Sequence, residues 1–283
     1  MLKIMQRLFI LVEIPLNDLK NMRGNIYMQK VLKTGGITLK KIGFIHFYVL
    51  VLSVIIFLMF YITANNQSNV VMGEETQNPK EVYLTFDDGP SYACGNKILD
   101  ILKERDVKAT FFIVGYRIEG REEILKRMDK EGHSIGLHTF SHKYKKIYAN
   151  NDAFIAEMDE NAEAIKKVLG KSPSIIRFPT GSKGHLNEEL LNKLHERGYK
   201  IYDWNACVTD GLNSSKSAEG LYTEAVKSSK RWSKVILLMH CDETNINTVK
   251  ALPKIIDYFK EQGYTFKPIN DKTPEYYFRV KTK

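Results

Sequence analysis

"EVYLTFDDGP", residues 81–90, opens an alternation that runs through most of the chain. "EVYLTF" is rich in β-branched and aromatic residues and predicts a strand; Asp87 and Asp88 fall where it ends. Adjacent negative charges repel, and burying them is costly without a positive partner. The residues that follow have to supply one.

Further strands are predicted at 109–115, 134–138, 173–179, 199–204, 234–240 and 264–269. Helices are predicted between them at 96–106, 121–132, 152–170, 187–198, roughly 219–232, and 253–263 with Pro253 at its start. The clearest is 152–170, where Phe154, Met158, Ala162, Ile165 and Leu169 share a face and Gly170 ends the run. Repeated β–α alternation implies parallel strands with helices outside, as a barrel or an open doubly wound sheet. Either arrangement gathers strand C-terminal ends on one face. Asp87, Asp88, His138, Arg177, Asp203 and His240 all stand at or just past such ends, so one cleft can hold them.

"HTFSH" places His138 and His142 four apart, and on a helical turn both imidazoles face the same way. Two imidazoles and one carboxylate suit Zn²⁺ and similar divalent cations, with a position left open for water. The positive partner of the aspartate pair is then a cation: one carboxylate ligates it and the other takes a proton from water. Taken singly, each feature has a blander reading. "DDG" fits a capped turn, Arg177 a surface ion pair, and His240 the end of a strand.

Taken together they resemble the polysaccharide deacetylases among the carbohydrate esterases. "TFDDGPS" resembles that family's first motif and "GHSIGLHTFSH" (132–142) its second. "RFPTGS" (177–182), "DW" (203–204) and "LMH" (238–240) follow where the later motifs belong. The resemblance covers about residues 80–270. It implies a distorted (β/α) barrel of about seven parallel strands, a bound divalent metal (Zn²⁺ first, Co²⁺ as an alternative), and removal of N-acetyl groups from polymeric amino sugars.

Position by position, the resemblance makes Asp87 the catalytic base and Asp88, His138 and His142 the metal ligands. Arg177 orients the base, His240 is the general acid, and Asp203 tunes that acid, with Asp210 in "YDWNACVTDG" as the competitor. Trp204 and Leu238 line the acetyl pocket. Where the family's third motif ends in Tyr this chain has Thr180, whose backbone N–H still serves the oxyanion.

The net charge is +9, but eight Lys and Arg against two acids in residues 1–41 account for six of it. No basic stripe interleaves with aromatics, which argues against a nucleic-acid partner. Residues 42–63 are apolar and carry no formal charge, enough to span a bilayer core of about 30 Å as one helix. Lys40 and Lys41 abut this run, so the positive-inside rule places the N-terminus in the cytoplasm and the remainder outside. Met28 is an alternative start to Met1. Residues 64–80 read as a linker, 81–270 as the catalytic domain and 271–283 as a C-terminal tail. Cys94, Cys207 and Cys241 form no C-x-x-C zinc motif; Cys207 and Cys241 are either bridged or, like Cys94, free thiols.

The expected protein is therefore a single-pass, extracellular, metal-dependent deacetylase acting on N-acetylglucosamine units of peptidoglycan. The alternatives are a deacetylase or O-acetyl esterase of another polysaccharide or chitin oligomer, and a non-catalytic glycan-binding protein of the same fold.

Overall fold

Along β1 (Glu81–Gly89), Val82, Leu84 and Phe86 face one side, and Tyr83, Thr85 and Asp87 face the other. Both sides are buried, as the period of two requires of a central parallel strand. The computed structural model describes residues 49–56, 58–59 and 79–278. The chain divides between residues 75 and 76 into two units.

In the second unit β1 is followed by α1 (Gly95–Glu104), β2 (Thr110–Ile113), a 3₁₀ turn (Gly115–Arg117), α2 (Glu122–Lys130) and β3 (Ser134–Leu137). Then come α3 (Tyr144–Ile147), α4 (Asn151–Leu169), β4 (Ile175–Ile176), α5 (Glu188–Glu196), β5 (Lys200–Ile201) and β6 (Ala206–Cys207). α6 (Ala218–Ser229), β7 (Lys234–His240), α7 (Ile246–Glu261) and β8 (Thr265–Phe266) complete the series.

All strand pairings are parallel, in the order β5-β4-β3-β2-β1-β7-β6, with β8 paired to β1. The sheet curls. Tyr83, Phe112, Ile175 and Ile236, from β1, β2, β4 and β7, meet Tyr202 and Ile269, which follow β5 and β8, in one inner cluster. A larger cluster fills the space between the outer face and the helices. The result is barrel-like but open, since no pairing joins β5 to β6 among the described residues.

Two elements differ from the expectation. β6 was not foreseen, because two residues between "DW" and "VTDG" carry no readable period. The last long helix begins at Ile246, so Pro253 lies inside it. Val249 and Leu252, upstream of the proline, are buried and extend its core face. Residues 273–278, within the expected C-terminal tail, dock on the sheet. Tyr276 N–H donates to Ile201 O (3.2 Å), Asp203 N–H to Tyr276 O (2.6 Å), and Tyr202 OH to Thr273 O (2.6 Å), extending the β5 edge. All three cysteines are free thiols, so Cys207 and Cys241 form no bridge.

The expected membrane span at 42–63 lies largely outside the described residues. Residues 49–56 and 58–59 are helical, with exposed apolar side chains such as Leu50 and Ile56. No helix among the described residues is long and apolar enough to cross a membrane.

Candidate active site

β1 ends in a bulge: Asp87 pairs with Phe112 and Gly89 with Ile113, leaving Asp88 as an extra residue with φ 68°. Strict alternation would send the two carboxylates to opposite faces. The bulge brings both to the same end of the strand, where His138 Nε2 lies 3.7 Å from each.

His138 follows β3, and its Nδ1 donates to the Arg177 carbonyl (2.9 Å), which leaves Nε2 free to accept or ligate. His142 does not reach the same place by helical spacing, because residues 138–142 form an irregular loop. Left-handed backbones at Thr139 (φ 64°) and His142 (φ 53°) fold that loop back, and the two imidazole centroids stand 5.2 Å apart. Of five non-glycine residues with positive φ among the described residues, four (Asp88, Thr139, His142 and Thr180) belong to this site. Each such backbone costs about 1–3 kcal/mol, and persists only where the surroundings enforce it.

Asp88, His138 and His142 offer ligand atoms that all lie within 4.8 Å of one another. Asp88 Oδ1 is 3.3 Å from His142 Nε2, buried, and without a hydrogen-bond donor. A buried orphaned carboxylate oxygen facing two imidazole nitrogens fits a divalent cation. Burial, then the neighbouring His138 ring, holds His142 below the ordinary histidine range, in the neutral form that ligation needs.

Asp87 is the other half of the pair and has a different partner. Arg177, fully buried and just after β4, reaches it with Nη1 (2.9 Å to Oδ1). The same guanidinium donates to Thr85 Oγ1 (2.7 Å), Tyr202 O (2.7 Å) and Asp203 O (3.1 Å). It stacks 4.1 Å over the Phe112 ring. That ring fits because β3 carries glycine opposite it: a Cβ on Gly136 would lie 2.5 Å from Phe112. Arg177 thus ties β1 to the segment after β5 through the interior of the curled sheet.

On the other flank, β1 and β7 place Thr85 opposite Leu238 and Asp87 opposite His240. Leu238 and His240 alternate with Leu237 and Met239, which belong to the outer cluster, so both face the interior. The partner of His240 is Asp210, and the expected Asp203 is corrected. Asp210 Oδ1 accepts from His240 Nδ1 (2.8 Å) and Oδ2 from His240 N–H (2.8 Å) and Thr248 Oγ1 (2.8 Å). Asp203 turns its carboxylate away, to Ser182 N–H (3.0 Å) and Phe278 N–H (2.7 Å), and anchors the third-motif loop to the C-terminal segment. Burial alone would lower His240. The Asp210 hydrogen bond and charge, joined by Asp87 and Asp88, raise it to about 9. Gly211 lets the imidazole lie against the backbone, since a Cβ there would meet ring atoms at 2.4–2.7 Å.

Trp204 lies 5.8 Å from the Arg177 guanidinium and is packed edge-on against Phe278 (5.3 Å). The Thr180 N–H, on a left-handed backbone (φ 66°), donates to no acceptor among the described residues.

Glu157 was missed in the sequence because it sits on α4, inside an ordinary helical pattern. It is buried, and its carboxylate accepts from Phe140 N–H (3.1 Å), Ser141 N–H (2.7 Å), Ser141 Oγ (2.9 Å) and Lys146 Nζ (2.6 Å). Burial opposes its ionisation, but Lys146 and the Ser141 donors hold it below the usual carboxylate range. It pins the loop that delivers His142. Glu157→Ala should cost about 2–4 kcal/mol of stability by stranding those donors. It should also weaken Zn²⁺ binding at least about tenfold by freeing His142. Calorimetric titration with Zn²⁺ checks this, and an unchanged affinity removes Glu157 from the support of the site.

The polysaccharide deacetylase family model matches residues 74–202. A peptidoglycan-N-acetylglucosamine deacetylase of Bacillus cereus is 35% identical over 202 residues, which cover 69% of this chain and 71% of that protein. A peptidoglycan-N-acetylmuramic acid deacetylase of Bacillus subtilis, PdaA, is 32% identical over 193 residues, 68% of this chain and 71% of that one. Among solved structures, the catalytic domain of peptidoglycan N-acetylglucosamine deacetylase from Eubacterium rectale is similar with a TM-score of 0.66 and 31% identity. That likeness covers 73% of this chain and 96% of that domain.

Proposed function

The chain belongs to the polysaccharide deacetylase family, and on that premise we propose that it removes N-acetyl groups from N-acetylglucosamine units of peptidoglycan in a metal-dependent hydrolysis. One observation carries the reading. Three ligand groups with an orphaned carboxylate oxygen converge beside a second carboxylate that is held by arginine, with a histidine on the next strand.

Asp88, His138 and His142 would hold the cation, Zn²⁺ in the first instance. Once bound there, it lowers the pKa of water toward about 7 and polarises the amide carbonyl. The chain's own residues do the rest. Asp87, with Oδ1 fixed by Arg177, keeps Oδ2 for the proton of the attacking water. The free N–H of Thr180 is available to the oxygen that becomes negative. His240, charged at neutral pH and aimed through Asp210, gives its proton to the leaving nitrogen as the C–N bond breaks. Acetate and a free amine result. Trp204 and Leu238 are the proposed walls of the acetyl pocket, which exclude water from it.

The names of the relatives support peptidoglycan as the substrate and make N-acetylmuramic acid the second sugar to test. The apolar run at 42–63 is the proposed membrane anchor, with the N-terminus in the cytoplasm and the catalytic unit facing the wall.

The test is acetate release by the full chain, with Zn²⁺ or Co²⁺, from N-acetylglucosamine oligomers, purified peptidoglycan and O-acetylated glycans. Mass spectrometry of the products reports bond and sugar together. Release from the amino sugar is expected. O-acetyl release alone, or binding without turnover, overturns the proposal.

A further inference from the structure

In the second unit, four large apolar side chains are strongly exposed among the described residues: Tyr92 (60%), Tyr116 (51%), Tyr144 (50%) and Leu212 (92%). Scattered exposed apolar residues are ordinary on a surface. These are not scattered. Each lies in the connection that follows the C-terminal end of a strand, Tyr92 and Leu212 on loops, Tyr116 in the 3₁₀ turn and Tyr144 at the start of α3, on the face that carries the site. Three are aromatic, and they follow β1, β2 and β3, which are neighbours in the sheet.

The three rings are also held in place. Arg117 donates from Nη1 to the Asp88 carbonyl (2.7 Å) and from Nε to the Tyr116 hydroxyl (3.2 Å), which ties that ring to a proposed ligand residue. Arg121 donates to the Arg117 carbonyl (3.4 Å) and stands 4.7 Å over the Tyr92 ring. The Tyr92 hydroxyl donates to the Gly120 carbonyl. Tyr144 rests against the imidazole of His142, with centroids 5.3 Å apart. Each ring is thus fixed by its neighbours while half or more of its surface stays open. Fixed rings lose little rotamer freedom on binding, which favours a platform over a floppy apolar patch.

We propose that Tyr92, Tyr116 and Tyr144 form a row of stacking platforms for successive sugar units of the acetylated glycan, along the connections that follow β1, β2 and β3. A pyranose presents an apolar C–H face of the size of one aromatic ring, and its hydroxyls point outward to water. Leu212, adjoining the Gly211 that cradles His240, forms the apolar lip on the opposite side. The proposal rests on the glycan reading above and adds where the neighbouring sugars lie.

The experiment compares N-acetylglucosamine oligomers of increasing length on the full chain with Zn²⁺, reading both acetate release and binding by calorimetry. In the wild type kcat/KM is expected to rise with length. Tyr92→Ala and Tyr116→Ala should each flatten that rise about tenfold, mainly through KM. Tyr→Phe, which keeps the ring face, should restore it. Tyr144 is left unaltered because its ring touches His142. Acetate release with the same length dependence in both alanine variants overturns the platform and leaves the hydrolase standing. Oligomer binding that weakens in those variants without any acetate release sinks the hydrolase and keeps the platform. Neither binding nor release overturns both.

Discussion

Asp210→Asn is expected to lower kcat about 10²–10⁴-fold and to shift the alkaline limb of its pH profile downward. Asp210 takes both the ring and the backbone N–H of His240, plus the Thr248 hydroxyl and the Gly211 N–H. An amide offers one acceptor oxygen for these four donors and turns an NH₂ group toward the others. It also removes the charge that raises His240 to about 9 against its burial. The sign follows directly. The acid must be protonated to serve the leaving nitrogen, so activity falls as pH rises through the His240 value. Without the carboxylate that fall begins at lower pH. Asp203→Asn is the control. It loosens Ser182 and the Phe278 N–H, costing about 1–3 kcal/mol in thermal unfolding, and leaves the alkaline limb in place. Steady-state kinetics across pH decides between the two aspartates. A wild-type limb in Asp210→Asn would return the role to another group.

The contrast between those aspartates marks how far the sequence could be read. Strand and helix positions followed from apolar period, a local property, and so did the standing of Asp87, Asp88, His138, Arg177, Asp203 and His240 at strand ends; the roles of the site residues came from the motifs and the resemblance they carry. Asp87, Asp88, His138, Arg177 and His240 do meet at one end of the sheet. What makes them meet is not local. The bulge at Asp88 appears only in the pairing of β1 with β2. The convergence of His138 and His142 depends on two left-handed residues rather than on helical spacing. Asp203 is the aspartate of the "DW" pair and the natural choice by motif, yet its carboxylate is used by a segment seventy-five residues downstream. Glu157 and the docked residues 273–278 act through hydrogen bonds across the fold, which no pattern in their own neighbourhoods encodes.

The neighbours Asp87 and Asp88 should respond to the same substitution with opposite signs. Asp88→Asn removes a buried charge whose Oδ1 has no donor, so the metal-free protein is expected to melt at higher temperature than the wild type. Asp87→Asn breaks a fully buried pair with Arg177, and the metal-free protein should lose about 3 kcal/mol. Adding Zn²⁺ puts the wild type back above Asp88→Asn. Wild type and Asp87→Asn should both gain stability on saturation, about 4 kcal/mol at a thousandfold excess over Kd. Asp88→Asn should gain almost none, having lost one of three ligand groups. Turnover separates the pair from any purely structural account: Asp87→Asn binds Zn²⁺ but is expected to retain less than about a thousandth of kcat, since nothing else accepts the proton of water. Melting curves with and without Zn²⁺, read beside acetate release, test all of this at once. If both variants lose the Zn²⁺-dependent rise, or if Asp88→Asn keeps it, the division of labour between a held base and a free ligand does not stand.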